Sequence, residues 1–164
     1  MVYGSLLVII ERLDDEYTKL LQHTDSRSTA YLERLKDEKL VCELIVTVQS
    51  YLEKDVGAHK DSKLCRIYMT RIEHLYYKID RQLQKENLME VTQSNEALVA
   101  ENSSELMSKL CSFIYNYSGA DHGRIRTRAI LCHIYHHALH DNWFEARDLM
   151  LMSHLQETIQ FFRC

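Results

Sequence analysis

"RIRTRAILCHIYHHALHDNWFEARDLMLMSHLQETIQ", Arg124 to Gln160, is the stretch on which the fold turns. Apolar and small residues recur at helical spacing up to Leu139, a polar break follows at His140-Asp141-Asn142, and the periodicity resumes at Trp143. That order predicts helix, two- or three-residue turn, helix. Asn142 and Glu145 have the spacing of a capping box for the second helix. Alanines and aromatics flank the turn: Ala138-Leu139 before it, then Trp143-Phe144 and Ala146. Small residues where two helices approach, wedged by aromatics, mark tetratricopeptide-like hairpins. A single hairpin cannot bury both of its faces, so further helical pairs are expected to stack on it.

The rest of the chain supplies them. Its 164 residues suit one domain with a real core, and it has no proline and four glycines. Helices tolerate proline poorly, whereas turns and all-β folds use proline and glycine heavily. Leu6, Ile9, Ile10, Leu13, Tyr17, Leu20 and Leu21 recur at three and four, predicting a helix over 5–22. "TDSRSTA" (Thr24–Ala30) is rich in capping residues and reads as a turn into a short second helix carrying Tyr31, Leu32 and Leu35. Asp37 is placed to cap a third, with Leu40, Val41, Leu44, Ile45, Val48, Tyr51 and Leu52. Its β-branched centre, "LIVTV", has strand composition, but the spacing around it is helical. After the loop "KDVGAHKDS" (Lys54–Ser62), Leu64, Ile67, Tyr68, Ile72, Leu75, Tyr76 and Ile79 mark a fourth helix. Asn102 and Glu105 have capping-box spacing for a fifth with Leu106, Leu110, Phe113, Ile114 and Tyr117, ended by "SGADHG".

The fold class expected is all-α: stacked helical hairpins in a tetratricopeptide-like right-handed solenoid of about six to eight helices. Three regions are expected. Residues 1–83 form a first helical segment. Residues 84–102, with four glutamates against one lysine and sparse apolar residues, form an acidic linker or insertion. Residues 103–164 form a helix plus the hairpin.

A formal charge of −4 does not indicate a strongly cationic nucleic-acid binder, though a local basic patch remains open. Cys42, Cys65, Cys111, Cys132 and Cys164 are odd in number and lie far apart with no CxxC, which fits reduced core thiols of a cytosolic protein. The longest apolar run, "LLVII" (Leu6–Ile10), is too short for a membrane span.

Four of the nine histidines lie between His133 and His140. Histidines four apart on a helix can share a metal ion, and His133/His137 and His136/His140 are such pairs. With His133 at zero and 100° per residue, His136, His137 and His140 fall at about 300°, 40° and 340°, opposite an apolar arc of about 60° to 240°. They therefore read as a polar face, solvated or partner-facing, outside the core. No glutamate follows either leading histidine and no Asp or Glu lies among the four, so no metal is assigned. Arg126 falls on the histidine face, Arg124 and Arg128 border the apolar side, and His122 is near. This basic end is either a charged helix terminus or a contact for RNA phosphate or an acidic partner helix. The contact candidates are Arg124, Arg126, Arg128, His133, His136, His137 and His140.

Other chemistry is thin. GxGxxG, GxxxxGK[ST] and GxSxG are absent. Cys132 and His133 are adjacent and so point about 100° apart on a helix, which rules them out as an unaided nucleophile–base pair. "ERLDDEY" (Glu11–Tyr17) reads as a solvated acidic face, and Met150 and Met152 as packing. No enzyme activity and no cofactor are expected.

The Arg124–Gln160 segment closely resembles the c subunit of eukaryotic translation initiation factor 3. "GSLLVIIERLDDEYTKLLQHTD", "YLERLKDEKLVCELIVTVQSYLE" and "LCRIYMTRIEHLYYKIDRQ" resemble successive segments of that family's central helical region, in order. The resemblance is weakest over 84–102. It implies a cytoplasmic, non-enzymatic scaffold of the factor, supporting small-ribosomal-subunit binding and preinitiation-complex assembly. It implies as partners the other subunits, especially the a subunit, and the small ribosomal subunit and its RNA, with no membrane. Other initiation factors would be reached through an amino-terminal tail absent here. The family's carboxy-terminal PCI domain is likewise missing, so a fragment is expected, whose uncapped apolar face around Trp143–Leu155 would self-associate. The alternative from the residues alone is an unrelated helical-repeat adaptor.

Overall fold

The computed structural model describes residues 5–54, 60–78, 103–119 and 122–155. Among them are six helices and no strand: α1 (Leu6–His23), α2 (Thr29–Lys54), α3 (Lys60–Leu75), α4 (Ser103–Asn116), α5 (His122–Leu139) and α6 (Trp143–Met152). The all-α expectation holds. The expected linker 84–102, Asn102 as a cap and Cys164 lie outside the described residues. The chain divides into two compact units, Met1–Arg71 and Ile72–Cys164, with the division inside α3.

In the first unit, α1 and α2 pack together across the turn at 24–28. Asp25 and Ser28 shape that turn as capping chemistry dictates. The Ser28 backbone N–H donates to the Asp25 carbonyl at 3.0 Å, and the Ala30 N–H donates to the Ser28 hydroxyl at 3.1 Å. One helix then runs from Thr29 to Lys54 where two were expected. Asp37 does not cap. An aspartate inside a helix costs less than about 1 kcal/mol, whereas a break there would orphan several backbone groups. Val41, Ile45, Val48 and Leu52 are the buried stripe of α2, so the β-branched "LIVTV" is helical by its spacing. Leu7 and Ile10 are the buried residues of α1, and Leu64, Cys65, Ile67 and Met69 of α3 are buried too. Polar ties fix α3 at the edges. Arg66 pairs with Glu11, Lys60 Nζ donates to the Glu53 carbonyl at 2.7 Å, and the Tyr68 hydroxyl donates to the Glu53 carboxylate at 3.0 Å.

In the second unit, α5 packs on both α4 and α6. Met107, Leu110, Cys111 and Ile114 form the buried stripe of α4. The α5–α6 turn occupies 140–142, as expected, but its chemistry differs. Asn142 makes no side-chain cap. Its backbone N–H instead donates back to the His137 carbonyl at 3.0 Å, with Asp141 at φ 62° in the left-handed region. That is a Schellman closure of α5, which uses a left-handed residue just past the helix end. Glycine fits this position without the Cβ penalty. Asp141→Gly is therefore expected to raise stability by up to about 1 kcal/mol, read as a higher urea midpoint at unchanged m-value.

Candidate functional site

A helix with neighbours on two sides buries two sectors of its surface. On α5 the buried residues are Ala129, Ile130, His133, His136 and His137, and His136 is 0% exposed. Leu131 and Tyr135, each 51% exposed, face out. The expectation that His133, His136 and His137 form an exposed polar face is thus corrected; His140 is half-buried. The helical angles correctly separated the histidines from the apolar arc. They carried no information on which side meets α4 and α6. Imidazole is mostly neutral at pH 7 and is buried at far lower cost than a carboxylate.

The rings stack in the expected pairs. His133 and His137 have centroids 4.4 Å apart, and His136 and His140 4.1 Å apart. Tyr115 of α4 shares a 3.1 Å hydrogen bond between its hydroxyl and His133 Nδ1. His140 Nδ1–H donates to the His136 carbonyl at 2.8 Å, which fixes its tautomer. Glu145 of α6 brings Oε2 to 3.1 Å from His137 Nδ1, off the direction of a hydrogen bond, so this is a charge contact that strengthens when His137 protonates. His133 Nε2 is buried with no hydrogen-bond partner among the described residues. Burial, then neighbouring His137 and His136, holds the His133 pKa down to about 4. Burial also lowers that of His137, against the opposing pull of Glu145.

No three of the four histidines bring ring nitrogens within 4.8 Å of one another. The arrangement is two stacked pairs, short of the three protein ligands a catalytic zinc site uses. Burial pushes the Cys111 thiol up to about 12 and that of Cys132 up to about 11, which keeps both protonated and unreactive at neutral pH.

Arg124, Arg126 and Arg128 are all exposed, but they do not share one face. Arg124 and Arg128 continue the outward stripe of Leu131 and Tyr135, while Arg126 sits about 160–200° round the helix. Arg128 pairs with Glu73, and Tyr135 meets Tyr76 edge to face at 5.4 Å. Tyr115, Glu145 and Glu73 were not foreseen in these roles. Glu145 carried a capping signal, and the other two give no one-dimensional sign of the helix they meet.

In the first unit, Ile9, Leu13, Tyr17 and Leu20 of α1 and Leu40, Val41 and Leu44 of α2 line an open groove of about 600 Å³. Arg12, Glu16 and Asp37 stand among them. Its lining is apolar, unlike the polar concave groove expected of a peptide-binding adaptor.

Comparison with known proteins shows the family. The family described as "Eukaryotic translation initiation factor 3 subunit 8 N-terminus" matches residues 1–163. The chain belongs to this initiation factor 3 family. The C subunit of eukaryotic translation initiation factor 3 from Xenopus laevis is 49% identical over 164 residues, covering 97% of this chain and 17% of the relative. Its counterpart in Drosophila ananassae is 51% identical over 158 residues, covering 96% of this chain and 16% of the relative. That of Anopheles gambiae is 49% identical over 158 residues. The chain thus spans about a sixth of the length of the curated C-subunit relatives it matches. An unrelated adaptor is set aside. No helix among the described residues of this initiation factor 3 family member is long and apolar enough to cross a membrane.

Proposed function

We propose that the chain is a helical scaffold segment of the initiation factor 3 complex, with no catalytic role, acting in the cytoplasm. The observation that carries this is the family match over residues 1–163 with about half the residues identical. On this reading its partners are the other subunits, the a subunit first, and the small ribosomal subunit with its RNA. Two features of the chain support a contact role. Large apolar side chains stand in the open on the second unit, Trp143 at 60% and Phe144 at 75% exposed, where a monomer gains nothing from them. The exposed Arg124, Arg126 and Arg128 of the preceding helix α5 add cations suited to phosphate or carboxylate. The buried His133, His136 and His137 leave the contact surface to these groups.

The test uses the full-length C subunit with this segment in place, purified with its complex. Replacing all three arginines by glutamate is expected to weaken co-sedimentation with the small ribosomal subunit at least tenfold, with a shallower salt dependence, and to leave the stoichiometry of the complex intact. Unchanged sedimentation would exclude the arginines as the ribosomal contact.

A further inference from the structure

Helix α5 carries three arginines and no Asp or Glu over its 18 residues, on a chain whose formal charge is −4. Its outward stripe is Arg124, Arg128, Leu131 and Tyr135, all exposed. At the rise of an α-helix this stripe is about 17 Å long, with cations at one end and a ring at the other. The residues that follow α3 extend the aromatic end. Tyr76 meets Tyr135 edge to face at 5.4 Å and Tyr77 edge to face at 5.3 Å. Tyr77 is itself exposed, and the Lys78 ammonium lies 5.9 Å from the centre of its ring. The carboxylate that meets the stripe, Glu73, pairs with Arg128.

We propose that this stripe binds single-stranded RNA, with phosphates on Arg124, Arg128 and Lys78 and bases stacked on Tyr135 and Tyr77. It rests on RNA being a partner of the scaffold segment, and narrows that partner to unpaired nucleotides. An RNA duplex presents phosphates and 2′-hydroxyls, but its bases are already stacked on one another, which leaves the rings and Leu131 without a role. An unpaired strand offers a charged backbone and free base faces together, and stacking on an aromatic ring works for every base. Arg124 and Arg128 stand one helical turn apart, spaced to take successive phosphates. Tyr76 holds the two outer rings edge to face, so they are ordered before a base arrives. The Arg128–Glu73 pair lies at the surface, where an ion pair is weak, so a phosphate can take the place of Glu73.

Fluorescence anisotropy of a labelled oligouridylate titrated with the 164-residue chain reads this. The strand is expected to bind, and an RNA duplex of the same length to bind about tenfold more weakly. Three phosphate contacts at about 0.7 each give a log–log salt slope of about 2, and Arg124→Gln should lower it by about 0.7. Tyr135→Ala should weaken binding about 5- to 100-fold at an unchanged slope, whereas Tyr135→Phe, which keeps the ring, should stay within about twofold of the parent. Circular dichroism checks that each variant is folded. Where Tyr135→Ala is not, Tyr77→Ala serves in its place. No binding, equal binding of the duplex, or loss of either ring without effect would overturn the proposal. Any of these outcomes, with the arginines still governing co-sedimentation, would leave the ribosomal contact standing and assign it to duplex RNA or to protein.

Discussion

His136→Asp is expected to unfold the second unit. His136 is wholly buried on the α5 face that carries His133 and His137. An imidazole can be neutral there at pH 7; a carboxylate must be desolvated, take up a proton or leave the interior. The expected loss is about 3–5 kcal/mol, a large part of the stability of a unit this size. His136→Leu keeps the volume without the charge and should cost far less. The comparison is made by urea unfolding followed by circular dichroism. The only tryptophan in the chain, Trp143, lies in the second unit and reports its loss separately. Equal midpoints for the two variants would mean that the site is wet and the buried reading of His136 is wrong.

Ile45→Ala is the corresponding test of the first unit. Ile45 is 1% exposed at the centre of the Val41, Ile45, Val48, Leu52 stripe. Removing its branched end leaves a cavity among close-packed neighbours, at a cost of about 2–5 kcal/mol. Leu40→Ala, five residues earlier and 59% exposed, should change stability by less than about 0.5 kcal/mol. The pair of measurements reads the direction of α2 directly. Similar costs at both positions would show that α2 is covered on both sides in solution, as would follow if the open groove against α1 were filled by another helix.

Much of this fold was legible along the chain because helical spacing is a local property. The stripe Val41, Ile45, Val48 and Leu52 outweighs the β-branched composition of its own centre, and the polar break at 140–142 marks the hairpin. The misreadings share a cause: each needed a neighbour. Asp37 has the composition of a cap, but Ser28 already caps the helix that contains it. Asn142 and Glu145 have capping-box spacing, yet Asn142 uses its backbone to close the preceding helix and Glu145 turns to His137. The histidine arc on α5 was drawn in the right place and assigned to the wrong surroundings. Amphipathicity tells the interior from the exterior only when a helix has one packed side. α5 has two, and a neutral imidazole is the polar group best suited to a second interior.

The most direct measurement of the scaffold account is a graft. The matching segment of the Xenopus laevis relative is replaced by this chain, and the chimera is co-expressed with the other subunits of its complex. Quantitative mass spectrometry of the affinity-purified product then gives stoichiometry. The account predicts that the a subunit and the small ribosomal subunit are both recovered at nearly the level of the parent. It also predicts loss of both when the graft carries His136→Asp. A graft that accumulates, folds and still recovers neither partner would contradict it.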